Sequence, residues 1–444
     1  MSRVYIETYG CQMNFADSEV MRAILIGSGH RIAESAEEAD YVVINTCAIR
    51  DNAEQRVLRR IADLEAWRRK SGSRMRIGVA GCMAERLKHN LLQQGESVAF
   101  VVGPDSYRRL PSILQQVESG SKVAETELST VETYDDIEPV RIDGNGVSAY
   151  ISIMRGCQNF CTYCVVPYTR GRERSRDALT IVAEARHLYE QGYREVTLLG
   201  QNVNSYRAAE TTFPQLLAMV AEVAPDLRVR YATSHPKDLS DDLLRTMASY
   251  DNICKAIHLP MQSGSDRMLK LMNRHYDSAW YMQRVDAIRR MLPGCSITTD
   301  IIAGFCTETD DDHRATLDMM RRVGFDHAFM FKFSLRPGTY AATHLVDDVP
   351  DKVKSSRLEE IIALQGELSL GNNRQEIGRR YEVLVEGESH RSKEQFFGRN
   401  SQNKVIVFDR KETRIGQYVT VEVTGCSAAT LIGKLVNGRC LQVK

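Results

Sequence analysis

Three cysteines stand within eight residues, in the run Cys157, Gln158, Asn159, Phe160, Cys161, Thr162, Tyr163, Cys164. This C-x3-C-x2-C spacing supplies three soft thiolates and no fourth, whereas a closed zinc site or a simple electron-transfer iron–sulfur cluster takes four protein ligands. One metal position is left for another molecule, so the run reads as a reaction site rather than a structural clip. Three thiolates can hold a [4Fe–4S] cluster by three irons and leave the fourth open to the amine and carboxylate of a small molecule. An electron donor would then touch its substrate directly.

A second set is spread along the first third of the chain. Cys11 follows Tyr9 and Gly10, Cys47 follows Asn45 and Thr46, and Cys82 follows Ala80 and Gly81, with 35 and 34 residues between them. Each ends a β-rich run, at residues 3–8, 41–45 and 75–80, and stretches of helical period at 17–26 and 52–69 lie between. That alternation is the pattern of a doubly wound parallel sheet, whose strand carboxyl ends share one ligand-binding edge. Turn packing explains any one of these cysteines, because free cysteine is often buried. It does not explain the same strand end three times, so a second three-cysteine metal site is expected, again without a visible fourth ligand. Cys254, Cys295, Cys306, Cys426 and Cys440 have no paired spacing and read as buried filler.

Eleven cysteines, an odd number, with no apolar leader ahead of them argue against a secreted disulfide framework and for a reducing, cytoplasmic setting. No apolar run approaches the roughly 18 residues of a membrane span, so no membrane association is expected. Lys plus Arg and Asp plus Glu number 58 each in 444 residues, so any nucleic-acid signal must be local.

The elements that must position these cysteines fall into three regimes. Residues 1–121 are the α/β unit just described, and the acidic stretch within 122–147 reads as a linker. Residues 148–372 alternate strand and helix about six times, with strands at 149–154, 195–199, 228–232, 255–259, 296–302 and 328–333. Such repeats predict a full or partial (β/α) barrel with its working groups in the loops after strands. Cys157 to Cys164 follow the first strand, Gln201 and Asn202 the second, Ser234 and His235 the third, and Gln262 the fourth. Residues 373–444 contain five strand-like runs separated by turns, as in a small OB-like antiparallel β-barrel. From Arg374 onward thirteen Lys or Arg face eight Asp or Glu, and Phe396 and Phe397 lie near Arg399 and Lys404, a pairing that suits single-stranded nucleic acid. Arg170, Arg172, Arg174 and Arg176, directly after the cysteine loop, are expected to bring positive charge to RNA phosphate. His235 and His258 stand at strand ends, where turn or core roles account for them equally well.

The cysteine triplet after the first barrel strand, with Tyr163 before its last member, resembles the radical S-adenosylmethionine superfamily. The similarity extends over the whole chain. The run from Thr8 to Asn14 with Asp17, Ser18 and Glu19, then Asn45 to Cys47, Gly81 with Cys82, and the run from Val165 to Arg176, resemble the methylthiotransferases. Thr233 to Pro236, His258 to Ser265 and Arg336 to Thr339 match as well, and the C-terminal barrel is similar to that family's TRAM domain, an RNA-binding module. The resemblance implies that Cys157, Cys161 and Cys164 hold a [4Fe–4S] cluster that cleaves S-adenosylmethionine to a 5′-deoxyadenosyl radical. It implies that Cys11, Cys47 and Cys82 hold an auxiliary [4Fe–4S] cluster that delivers sulfur. Tyr163, Gln201, Asn202, Ser234 and Gln262 become S-adenosylmethionine contacts, and Arg170, Arg172, Arg174, Arg399 and Lys404 RNA contacts. The expected reaction is methylthiolation of C2 of N6-isopentenyladenosine next to the anticodon of a tRNA. Its unactivated C–H bond is beyond ordinary acid, base or nucleophile and calls for a cofactor radical. A flavodoxin-type electron donor, a sulfur or cluster-repair donor and a monomeric enzyme go with that reading. Its rivals are a methylthiotransferase for threonylcarbamoyladenosine or a ribosomal-protein aspartate, and a non-catalytic RNA-binding iron–sulfur protein.

Overall fold

The computed structural model describes residues 1–48, 51–142 and 144–436, with the backbone alone at 51–53. Cys440 lies outside these residues. The first sheet holds six parallel strands: β1 (Arg3–Tyr9), β2 (Arg31–Ile32), β3 (Tyr41–Thr46), β4 (Arg76–Gly81), β5 (Val98–Val102) and β6 (Val123–Glu125), in the order β2-β1-β3-β4-β5-β6. Strand β3, Tyr-Val-Val-Ile-Asn-Thr, is buried along its whole length, as a central parallel strand covered on both faces must be. Tyr41 and Val43 pack with the helices Gln12–Gly27 and Leu110–Glu118, whereas Val42 and Ile44 pack with the helix Asp51–Ser71. The expected double winding follows from that period-2 division.

The acidic stretch after β6 is not the plain linker its composition predicts. Tyr134 is buried, stacks on Tyr107 at 5.7 Å and gives its hydroxyl to the Pro104 carbonyl at 2.9 Å. Asp135 receives Arg176 Nε at 2.8 Å, and Glu132 and Asp136 pair with Arg108. The carboxylates that lower its hydropathy are ion-pair partners of the two units it joins, so it forms a packed strap without regular structure.

The central unit is an open barrel. Strands β7 (Ser148–Ser152), β10 (Glu195–Leu199) and β13 (Arg228–Ala232) form one parallel sheet, and β14 (Ala256–His258), β15 (Ser296–Ala303) and β16 (His327–Lys332) form another. A single bridge from Val229 to Ile253 joins the two. Short pairs β8 (Met154–Arg155) with β9 (Arg174–Ser175), and β11 (Arg207–Ala208) with β12 (Thr211–Thr212), decorate the loops. Helices such as Ala178–Glu190, capped by Asp177 on the amide of Leu179 at 2.8 Å, cover the outside.

The helix Asp351–Arg374 runs from this unit to a closed barrel of β17 (Arg380–Ser389), β18 (Ser392–Arg399), β19 (Val405–Asp409), β20 (Tyr418–Cys426) and β21 (Leu431–Leu435). Its pairings are antiparallel except that of β19 with β21. Phe396 is in its core, not on its face. The barrel docks where β10 and β13 begin. Glu195 receives Arg230 Nε at 2.7 Å and Arg399 Nη2 at 2.8 Å, and Tyr418 donates its hydroxyl to the Asp226 carbonyl at 2.9 Å. No helix among the described residues is long and apolar enough to cross a membrane.

Candidate active site

Cys11, Cys47 and Cys82 sit just beyond the carboxyl ends of the adjacent strands β1, β3 and β4, and a polar lattice fixes them there. Asn14 Nδ2 donates to Asn45 Oδ1 at 3.1 Å and to the Thr46 carbonyl at 3.0 Å, while its Oδ1 accepts from the Cys11 amide at 3.3 Å. Asn45 Nδ2 returns to the Asn14 carbonyl at 2.7 Å and to Ser18 Oγ at 2.9 Å. These bonds explain the residue types around the cysteines, since each buried amide finds both a donor and an acceptor role. Gly81 has φ +90°, and a Cβ there would lie 2.5 Å from the Thr46 carbonyl oxygen, so only glycine lets β4 turn into Cys82.

The three thiols influence one another. A hydrogen bond with Cys47, helped by Arg170, draws the thiol of the exposed Cys11 down to about 6. Burial pushes the Cys82 thiol up, and Arg170 opposes that.

The second triplet lies in the loop after β8. Gly156, at φ +80°, precedes Cys157, and a Cβ there would stand 2.0 Å from the Arg172 carbonyl oxygen. The Cys157 amide donates to the Gly171 carbonyl at 3.1 Å, and the Cys164 amide to the Cys161 carbonyl at 2.9 Å. Residues 271–274 clamp the loop from across the barrel. Thr162 Oγ1 reaches the Leu271 carbonyl at 3.0 Å, Asn273 Nδ2 the Phe160 carbonyl at 3.0 Å, and Arg274 Nη1 both Cys161 Sγ at 3.2 Å and Tyr163 Oη at 3.3 Å. Burial raises the Cys157 thiol to about 11 and the Cys164 thiol to about 12. Such thiols become thiolates only when a metal supplies the compensating charge. Among the described residues, no three cysteine, histidine or carboxylate side chains close round a single ion. Each set offers three thiolates, which suits a cluster with one open iron better than a closed four-ligand zinc site.

Around this loop, polar atoms are buried with no protein partner: Gln201 Oε1, Asn202 Oδ1, Ser234 Oγ and His235 Nε2, with both amide atoms of Asn204. Unpaired buried polar atoms are costly unless a ligand meets them. His235 Nδ1 accepts from the Lys237 amide at 3.3 Å, which leaves Nε2 as the protonated nitrogen. Burial, reinforced by Arg274, keeps that imidazole neutral. Acceptors at Gln201 and Asn202 beside donors at Ser234 and His235 fit a zwitterion such as the methionine end of S-adenosylmethionine. Phe160, Thr233 and Gln262 all take left-handed backbone, at φ 47°, 73° and 67°. For β-branched Thr233 this is a clear outlier, of the kind that collects at ligand sites. Tyr163 packs edge-on to Phe305 at 6.3 Å. His258 is held by Thr298 Oγ1 and Asp300 at 3.0 and 3.2 Å.

The arginine run is built differently from its expected role. Arg170 pairs with Asp17 at 2.7 Å, Arg174 with Asp105 at 2.8 Å, and Arg176 with Asp135 and Glu184 at 2.8 Å each. All three are buried, and Arg172 alone is exposed. Arg155, which composition did not single out, joins them through Asp17 at 2.9 Å. Asp17 and Asp105 of the first unit hold Arg170 and Arg174, which thereby lock the two units together, while Arg176 is held by Asp135 of the strap and Glu184 of its own unit. Apolar contact among Ala48, Cys82 and Val165 then seats the Cys82 end of one triplet against the residue after Cys164.

Arg399 and Lys404 are paired in the same way. Arg399 bonds Glu386 at 2.6 Å as well as Glu195, and Lys404 meets Asp326 and Glu376 at 3.0 Å. They fasten the small barrel to the central unit. Arg399→Ala is therefore expected to lower the unfolding midpoint and leave the salt slope of tRNA affinity unchanged. A fall of about one in that slope would instead mark Arg399 as a phosphate contact. Of the remaining cysteines, Cys254 and Cys306 are core residues, whereas Cys295 and Cys426 are half-buried.

Sequence reasoning missed Arg155, Arg274, Asn273, Asn204 and the Asp17 and Asp105 counter-ions. A signal existed for Asp17, a charged residue on the apolar face of its helix.

Three family models match the chain: an uncharacterized protein family designated UPF0004 over residues 3–103, the radical SAM superfamily over 151–320 and the TRAM domain over 374–436. Among solved structures, the radical S-adenosylmethionine methyltransferase TsrM from Kitasatospora setae is 14% identical, with TM-score 0.57, over 77% of this chain and 75% of that one. The cobalamin-dependent S-adenosylmethionine radical enzyme OxsB is 10% identical at TM-score 0.52, over 82% of this chain and 56% of its own. Both likenesses concern the fold. Curated relatives match far more closely. The tRNA-2-methylthio-N(6)-dimethylallyladenosine synthases of Bacteroides fragilis and Bacteroides thetaiotaomicron are 55% and 56% identical over 98% of this chain and 96% of theirs. That of Amoebophilus asiaticus is 53% identical over 97% and 92%. The chain belongs to the family of tRNA-2-methylthio-N(6)-dimethylallyladenosine synthases, within the radical S-adenosylmethionine superfamily.

Proposed function

We propose that this protein methylthiolates C2 of N6-isopentenyladenosine next to the anticodon of tRNA. The observation that carries the reading is the seating of two three-cysteine sites against each other, joined by Arg170 from Cys82 to the loop that holds Cys157, Cys161 and Cys164. In this reading Cys157, Cys161 and Cys164 hold the radical cluster, and Cys11, Cys47 and Cys82 hold the sulfur-bearing one. When bound, the clusters and S-adenosylmethionine supply a 5′-deoxyadenosyl radical to open the C–H bond and a sulfur to replace the hydrogen. The protein's part is placement. Arg274 holds Cys161 and Tyr163, and Thr162 and Asn273 hold the loop backbone. Gln201, Asn202, Ser234 and His235 receive the methionine end of S-adenosylmethionine, with Gln262 and Tyr163 as further contacts.

RNA contact moves from the fastening cations to the exposed ones. Arg391 and Lys393, on the hairpin of β17 and β18, lie beside His390, whose ring stacks on Phe397 at 6.2 Å. Replacing both by alanine is expected to reduce the salt slope of tRNA affinity by about two, and an unchanged slope would move the RNA elsewhere.

Ten cysteines are free thiols among the described residues, which supports a reducing cytoplasm. A flavodoxin-type reductant, a donor of replacement sulfur and a monomeric state complete the reading. It is tested by offering the reconstituted protein, with reductant and S-adenosylmethionine, three tRNAs: unmodified, isopentenylated and threonylcarbamoylated. The reading expects 5′-deoxyadenosine with the isopentenylated tRNA. Formation only with the threonylcarbamoylated tRNA would overturn the substrate, and formation with none would overturn the chemistry.

A further inference from the structure

The inner face of the central barrel is covered on one half and bare on the other. On the sheet of β7, β10 and β13, Tyr150, Leu199 and Ala232 meet Met13 and Ala16 of the helix Gln12–Gly27, which is capped at Cys11. On the sheet of β14, β15 and β16, the two-residue alternation of a strand divides the side chains. Ile257, Ile297, Ile301 and Ala328 pack with the helices outside, so His258, Thr298, Asp300, His327 and Phe329 turn inward. Register sets Thr298 between His258 and His327, and Asp300 beside Phe329 one step further along.

A (β/α) barrel ordinarily fills its interior with side chains. Phe329 is instead 46% exposed, although it stands within a strand, flanked edge-on by His258 at 5.8 Å and His327 at 5.0 Å. The bare wall adjoins the radical site. Its inward face continues to Ile302, which packs against the same apolar cluster as Tyr163 of the cysteine loop, and the Gln262 amide donates to the Asp300 carbonyl at 2.8 Å.

The wall offers an aromatic surface with a carboxylate oxygen beside it. Asp300 accepts from His258 through Oδ2, and its side chain, 27% exposed, leaves Oδ1 to a further donor. An N6-alkylated adenine matches both parts, since it carries a hydrocarbon chain and keeps one N6–H. C2 and N6 leave the purine in different directions, so a base that turns C2 toward the two cysteine sites points its N6 chain away from them. The bare wall can receive it there.

We propose that Phe329, set between His258 and His327, is the specificity-determining residue that receives the isopentenyl chain of the substrate base, with Asp300 accepting from N6–H. The assignment rests on the reading of isopentenylated tRNA as substrate, and it adds the residue that senses the modification.

The test titrates the reconstituted full-length protein, with S-adenosylmethionine and no reductant, with two anticodon stem-loop RNAs that differ only in the isopentenyl group. The ratio of their dissociation constants is the readout, and thermal unfolding is recorded for every variant. The unaltered protein is expected to prefer the isopentenylated RNA on the order of a hundredfold. Phe329→Ala is expected to cut that preference on the order of tenfold with the unmodified RNA bound as before, whereas Phe329→Leu, which keeps apolar bulk, retains most of it. An unchanged preference in Phe329→Ala overturns the proposal, also where both RNAs weaken equally, because the ring would then be a platform for any base. Should Phe329→Ala fail to fold, Phe329→Gln, of similar reach but polar, decides: a lost preference upholds the assignment and a retained one overturns it. If the unaltered protein binds both RNAs equally, the substrate reading itself fails, and Phe329's role with it.

Discussion

Replacing Cys157, Cys161 and Cys164 together by alanine is expected to cut the iron of the reconstituted protein from about eight to about four atoms per chain and to abolish 5′-deoxyadenosine formation. Replacing Cys11, Cys47 and Cys82 instead is expected to leave about four irons as well, but with 5′-deoxyadenosine still formed and no methylthiolated product. The asymmetry follows from the two settings. The first triplet is flanked by Gln201, Asn202, Ser234 and His235, whose buried polar atoms lack protein partners; the second is ringed by the amides of Asn14 and Asn45 and the Ser18 hydroxyl, which bond one another. The former surroundings leave several neighbouring acceptors and donors for a polar co-substrate, whereas beside the second triplet Arg170 Nη1 is the unpartnered atom next to Cys82. Iron and sulfide analysis with chromatography of the nucleosides checks both halves. Complete loss of iron on removing either triplet would contradict the independence of the sites.

Asp17→Ala is expected to destabilise the protein by about 3–5 kcal/mol, read as the shift of a denaturant transition at neutral pH. Asp17 comes from the helix after β1, is 1% exposed, and accepts from Arg155 and Arg170 of the central unit. Its removal leaves two buried guanidiniums short of a counter-ion, and breaking a buried pair from one side costs far more than the pair contributes over an apolar replacement. Although burial acts against it, Arg155 and Arg170 hold the Asp17 carboxyl below the usual range. A depressed folded-state pKa means that this stabilisation is present above the unfolded value of about 3.9 and is lost as pH falls through the folded one. Asp17→Asn should therefore flatten that acid limb. A loss under about 1 kcal/mol would mean that the ion network does not join the units.

How much of this was legible in the sequence differs from residue to residue. The strand ends carrying Cys11, Cys47 and Cys82 were readable because β3 and β4 are largely apolar runs and β1 alternates apolar with polar residues, and a parallel topology places their ends on one edge. The five C-terminal strands were readable from alternation and turns, and they close as a barrel. The arginines were misread because charge in a sequence carries no partner. Arg170, Arg174, Arg399 and Lys404 look like a basic surface until Asp17, Asp105, Glu195 and Glu376, distant in sequence, are seen to neutralise them. The strap was misread for the same reason, since Asp135 and Glu132 resemble a solvated linker when Arg176 and Arg108 are out of view. Arg274 was invisible because it reaches Cys161 across 113 residues, and only the closure of the barrel makes them neighbours.

Nucleoside mass spectrometry of isopentenylated tRNA, after anaerobic incubation with the reconstituted protein, S-adenosylmethionine and a reductant, tests the central claim most directly. The account predicts that N6-isopentenyladenosine is converted to its 2-methylthio derivative, with 5′-deoxyadenosine appearing alongside. Isopentenyladenosine recovered unchanged from a protein carrying both clusters would contradict it.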